Sequence, residues 1–163
     1  VNKQDFIEMM QKTQAPLMNM VEMIPDDKLD WAPSEGFMTV GQVLKHLTEN
    51  WCVVKMMVTN EWRFSNMEEM GEALKLENMP TCTKAEALSA MEQDLNSAMD
   101  HIKYEISEED FFNKEISAPW GFKGQIWKAV LLAKEHQVNH KMQLHIYMKQ
   151  FGLPVNTETL YGM

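Results

Sequence analysis

Apolar residues recur at helical spacing along four stretches of the chain. In the first, from about Lys3 to Met23, Phe6, Ile7, Met10, Leu17, Met20 and Ile24 recur mainly at threes and fours. Pro16 falls inside it, so the helix either kinks there or ends at Ala15 and restarts. Pro25-Asp26-Asp27 closes the element with turn residues, and Leu29 to Met38, containing Trp31, Pro33 and Gly36, reads as an irregular connection. Thr39 with Gln42 three residues on forms a capping box for a second helix. Its stripe is Val40, Val43, Leu44, Leu47, Trp51, Val54 and Val58. The pattern then breaks from Thr59 to Pro80, which predicts a long crossover holding a short helix near Met67 to Lys75. Thr83 and Glu86 form a second capping box, opening a third helix that turns Ala87, Leu88, Met91, Leu95, Ala98, Met99 and Ile102 inward. Ser107 to Gly124 is loop-like around Pro119-Trp120-Gly121. A fourth helix from about Gln125 to Phe151 presents Ile126, Val130, Leu131, Ala133, Leu144 and Met148. Gly152 suits its C-terminal cap, and Pro154 cannot continue it.

Helices of roughly 20 to 27 residues span about 30–40 Å each at the α-helical rise. Four of them predict an all-α four-helix bundle, with residues 1–163 as one domain and no internal repeat or linker. The 16 methionines read mainly as core at this spacing; those around the crossover would also suit an adaptable pocket.

Charge narrows the partners. With 15 Lys+Arg against 24 Asp+Glu the formal charge is -9, and no dense basic run occurs, which argues against a nucleic-acid binder. No apolar run is long enough for a membrane span, and the polar start Val1 to Asp5 is unlike a secretory signal. Two cysteines, Cys52 and Cys82, stand outside any CxxC pattern. They fit a reduced, cytoplasmic protein.

The candidate chemistry lies in the five histidines. His136 and His140, four apart on the fourth helix, project from one face about one turn apart, a spacing that suits two imidazoles on one metal ion. His46 sits midway along the second helix, and three imidazoles converge if those two helices are neighbours. Spacing alone leaves open a chance pair and a lone core histidine. Three neutral nitrogen donors would leave a coordination position free, as in a reactive site, and would suit zinc, nickel, copper or iron.

Several segments resemble one family. Val40-Gly41-Gln42-Val43-Leu44-Lys45-His46-Leu47 looks like the start of the second helix of DinB/YfiT-like proteins, and Ile24 to Pro33 resembles the connection after their first helix. His136 to Tyr147 is similar to their fourth-helix signature, two histidines four apart followed by a Gln three positions later. The ending, Phe151 to Val155 and Leu160 to Gly162, also matches, so the resemblance spans nearly the whole chain. It departs at Lys141-Met142, where the family commonly has Arg-Gly.

The resemblance implies an up-down-down-up bundle with the long crossover between helices two and three, frequent homodimers, and a metal triad on His46, His136 and His140. Zinc or nickel is the expected divalent ion, with iron or manganese as alternatives. Relatives of this type include thiol-dependent S-transferases. The leading expectation is therefore a metal-dependent thiol S-transferase in which a low-molecular-weight thiol attacks a small electrophile. A metal-dependent hydrolase and a non-catalytic stress-response metal-binding module are the alternatives. Gln143, on the same stripe as His136, is a candidate for orienting an imidazole or the thiol, or else a packing residue. Glu49 is a candidate acceptor or base, or else a solvated helix residue. Trp120 is a candidate pocket wall, or else a cap on the bundle end; His101 and His145 match no ligand position and read as boundary or surface residues.

Overall fold

The structure, a computed structural model, describes residues 1–163. Helix α1 spans Lys3–Met23, opened by an Asn2–Asp5 capping box. It runs through Pro16 without a break, although that residue cannot donate to the carbonyl one turn earlier. Pro16 is buried beneath the C-terminal helix α8, Thr157–Tyr161: a side chain at Gly162 would come within 3.0 Å of the Pro16 ring. Packing on both sides of the proline thus favours one continuous helix.

The expected second helix is two. The capping box at Thr39 and Gln42 opens α2, Val40–Leu47, and after a turn at residues 48–51 the chain resumes as α3, Cys52–Thr59. The cause is a distant residue. Asp94, on α5 (Lys84–Asp100), accepts the Trp51 and Cys52 backbone N–H groups at 2.6 and 2.9 Å and so caps α3 from another helix. The apolar stripe survives the break, because α2 and α3 pack against the same two helices, α5 and α7 (Ile126–Gln150).

Helix α7, Ile126–Gln150, passes into Gly152 at φ +90°, the left-handed conformation glycine adopts freely. Directions follow from end-to-end contacts. The Lys3 ammonium, at the start of α1, donates to the Ile106 carbonyl beyond α5, whereas Lys84 reaches Ile24 at the other end. Phe6 packs edge-on against Trp127, so α1 and α7 start together. The Tyr147 hydroxyl, late in α7, donates to the Met38 carbonyl just before α2. The bundle is therefore up-down-down-up. No helix is long and apolar enough to cross a membrane.

The crossover carries the short helix α4, Met67–Ala73, and is tied down by Gln42, whose side-chain amide donates to the Leu76 and Met79 carbonyls at 3.0 and 3.1 Å. Gly41 has a specific reason to lack a side chain, since a Cβ there would lie 2.1 Å from the Thr81 hydroxyl. The segment from Ser107 to Gly124, expected as loop, instead contains helix α6, Glu108–Asn113, and an antiparallel hairpin of β1, Glu115–Ser117, with β2, Lys123–Gln125. Phe111 drives this order by burying fully and meeting Phe6 and Phe112 edge-on. Leu131, expected inward, is 37% exposed, while Val130 and Ala133 take the core positions.

Two apolar clusters make up the interior. One holds Met10, Trp51, Val54, Phe111, Ile126 and Ala133; the other holds Leu17, Met20, Val43, Leu44, Met91 and Leu144. Between them in sequence lie buried Gln14 on α1, Asn50 in the α2–α3 turn and Gln137 on α7. The apolar residues Ile7, Met10, Leu17, Met20 and Val21 of α1 are buried in this core.

Candidate metal centre

The polar layer opens on one side into a group of three histidines. His46 lies in the last turn of α2, and His136 and His140 stand on the facing side of α7. The His46 and His136 Nε2 atoms are 2.9 Å apart, and the three ring centroids are separated by 4.8, 4.8 and 4.6 Å. One ligand nitrogen from each ring lies within 4.8 Å of the others. All three rings are half-buried.

The site favours the neutral form of His46 and His136. Burial, reinforced by the neighbouring His140 and His46, holds His136 down to about 4. Burial also lowers His46, as does His140, with Glu49 opposing. A neutral ring keeps one nitrogen lone pair for a metal ion. The donor set therefore fits a metal: three convergent imidazoles, with His46 and His136 held neutral.

Behind each α7 histidine stands a hydrogen-bonding partner. The His140 Nδ1 atom is 2.8 Å from Gln143 Oε1; the Gln143 amide donates to the Tyr147 hydroxyl at 2.8 Å, which in turn donates to Met38 O at 3.1 Å. Because the carbonyl can only accept, this chain turns the Gln143 oxygen toward His140 and leaves that ring's Nε2 free. Gln143, expected as an orienting or packing residue, thus sits against a histidine of the triad. His136 Nδ1 is 2.8 Å from Asn50 Oδ1. Asn50 and Tyr147 escaped the sequence reading. Each stands four residues after a residue already singled out, His46 and Gln143, and that spacing was the available signal.

Glu49 touches none of the histidines. It pairs with the Arg63 guanidinium and lies 3.9 Å from the Lys45 ammonium. His101 and His145, expected at the boundary or surface, are buried: His101 Nδ1 is 2.9 Å from Glu105, and His145 Nε2 is 3.1 Å from the Asn156 carbonyl. Both lie outside the triad, as expected. At the departure from the family pattern, Lys141 is buried and donates to the Leu160 carbonyl at 2.8 Å, fastening α8, while Met142 is 41% exposed. The missing glycine therefore leaves no crowded contact within the chain.

A cavity of about 660 Å³ borders His46 and His136. The crossover supplies one wall through Met70, Leu74 and Met79, so these methionines line space while Met10, Met20 and Met91 fill the core. Trp120 lines it as expected, its ring edge-to-face with Trp62 at 5.2 Å.

An all-α bundle with three histidines gathered across α2 and α7 defines a class compatible with metal binding. The chain belongs to the DinB family, whose model matches residues 1–161. Among solved structures it is similar to a DinB-like protein from Bacillus cereus ATCC 10987, at 16% identity over 94% of this chain and 95% of that one, with a TM-score of 0.75. It is also similar to a DinB-like protein from Bacillus subtilis, at 19% identity over 93% and 96%, with a TM-score of 0.65. No curated protein matches the chain.

Proposed function

We propose that this protein is a metal-dependent thiol S-transferase acting on small electrophiles, with His46, His136 and His140 as its metal ligands. The observation that carries the reading is the convergence of three imidazoles beside a largely apolar cavity. An all-imidazole donor set suits zinc or nickel better than manganese, which prefers oxygen ligands. A bound ion of this type supplies Lewis acidity that keeps a low-molecular-weight thiol ionised at neutral pH.

The protein's own residues do the remaining work. Asn50 and Gln143 fix the rings of His136 and His140. Trp62 and Trp120 offer an apolar wall that receives the electrophile and excludes water from it. Hydrolysis fits less well, because the one carboxylate on the cavity wall, Glu49, is engaged by Arg63 and Lys45 and does not stand free as a base. The free thiols Cys52 and Cys82 suit a cytoplasmic setting. A stripe of exposed apolar residues on α7, Leu131, Val138, Met142 and Ile146, suits a homodimer contact, which sedimentation would test.

The functional test uses tag-free, metal-loaded protein and a generic electrophile such as monobromobimane, with a panel of small thiols in the assay. Thiol-dependent consumption above the uncatalysed rate supports transfer. Turnover of ester or amide substrates without thiol would instead favour the hydrolase, and no turnover of either kind the non-catalytic module.

A further inference from the structure

The cavity wall carries an electrostatic imbalance. Eleven of its nineteen lining residues are hydrophobic, and its only charged side chains are Lys45, Arg63 and Glu49. The Glu49 carboxylate meets both cations, so one positive charge is left over. That surplus sits in a chain whose formal charge is -9. A positive charge at the rim of an apolar cavity gains from a partner of opposite sign, though solvent screens the gain. One monoanion would neutralise the wall; a cation would be repelled, and a neutral ligand would leave the surplus. The volume is that of a drug-sized ligand.

We propose that this cavity binds a small apolar monoanion, an aryl or alkyl carboxylate or sulfonate. Its charged group lies at Lys45 and Arg63, and its apolar body rests against Trp62 and Trp120. As the substrate class this rests on the thiol-transfer reading, since the electrophile would carry the anion; as a binding site it needs no metal.

The test is a fluorescence titration of the metal-free full chain with two matched probes, 8-anilinonaphthalene-1-sulfonate and the uncharged N-phenyl-1-naphthylamine. The sulfonate is expected to bind about tenfold tighter, as for one charge-assisted contact. Because Arg63 is half exposed and screened, Arg63→Gln should weaken the sulfonate by only about fivefold and leave the neutral probe unchanged. Trp120→Ala should weaken both, with melting curves verifying that each variant is folded. Equal affinities for the two probes, or sulfonate binding indifferent to Arg63→Gln and Lys45→Gln, would overturn the assignment. Metal uptake without probe discrimination removes this proposal alone, and discrimination without metal uptake removes the metal reading alone.

A different observation concerns the amides behind His136. Gln14, Asn50 and Gln137 are each at most 5% exposed, and their polarity is set from its far end. The Met91 carbonyl can only accept and the Trp51 indole can only donate. Gln14 Nε2 donates to Met91 O at 3.0 Å, so its oxygen accepts from Trp51 Nε1 at 3.1 Å and from Gln137 Nε2 at 2.5 Å. The Gln137 oxygen then faces Asn50 Nδ2 at 3.4 Å, which leaves the Asn50 oxygen to accept from His136 Nδ1 at 2.8 Å. We infer that Gln14, Gln137 and Asn50 are positioning residues that hold His136 as its Nδ1–H tautomer, with the Nε2 lone pair facing His46.

Long-range proton–nitrogen NMR of 15N-histidine-labelled, metal-free protein reads the tautomer directly, and the wild type needs no variant to fold. The wild type should show His136 protonated on Nδ1. Asn50→Leu should move the proton to Nε2 and weaken zinc binding about 10–100-fold, whereas Asn50→Asp, which keeps the acceptor, should retain the wild-type tautomer. Protonation on Nε2 in the wild type, or an unchanged tautomer in Asn50→Leu, would overturn the inference.

Discussion

The apolar layers and the polar layer of this bundle are held by different means. In the apolar layers, residues such as Leu17, Leu44 and Leu144 fill space, and many neighbours share the loss of any one. In the polar layer, Gln14, Gln137 and Asn50 are connected in series, so removing one leaves a buried partner unsatisfied. The first arrangement supplies stability. The second gives up some of it to hold a ring in one orientation.

Trp51 stands where the two layers meet, wholly buried among apolar residues with its indole donating to Gln14. Trp51→Ala should therefore cost the most, about 3–5 kcal/mol in urea unfolding. A smaller loss than that of Leu44→Ala would show that the layers are not joined through this ring. Next in size is the metal effect: zinc at about a hundredfold its dissociation constant should add about 2.7 kcal/mol of stability, and none in His136→Ala. Gln14→Leu should cost about 1–3 kcal/mol by orphaning the Trp51 and Gln137 donors, which a melting curve will detect.

The last effect is one of pH, discounted because the His136 ring is only half-buried. The folded-state value of His136, about 4, lies below the unsupported value of 6.5. The unfolded chain then binds more protons between those limits, so this group's share of stability is intact above about pH 6.5 and falls away toward pH 4. Metal-free wild type should lose stability over that window more steeply than His136→Leu; parallel curves would contradict the assignment.

The sequence exposed local features and hid those made at a distance. Thr39 with Gln42 and Thr83 with Glu86 are capping boxes within four residues, and both open helices as expected. The break between α2 and α3 was illegible because its cap, Asp94, lies 42 and 43 positions away from the groups it holds. The pair His136 and His140 was visible in its spacing, but its meeting with His46 required knowing which helices touch, and only the family resemblance supplied that. Asn50 and Gln14 look like ordinary polar residues until the fold brings them behind His136. The helix and hairpin between Ser107 and Gly124 were hidden for a similar reason, since Phe111 is held by Phe6 from the far end of the chain.

The central claim is that His46, His136 and His140 together hold one metal ion. Metal analysis of protein purified without a histidine tag, wild type beside His136→Ala, tests it most directly. Stoichiometric zinc or nickel in the wild type and its loss from the variant is the predicted result; equal metal content in the two would contradict the site.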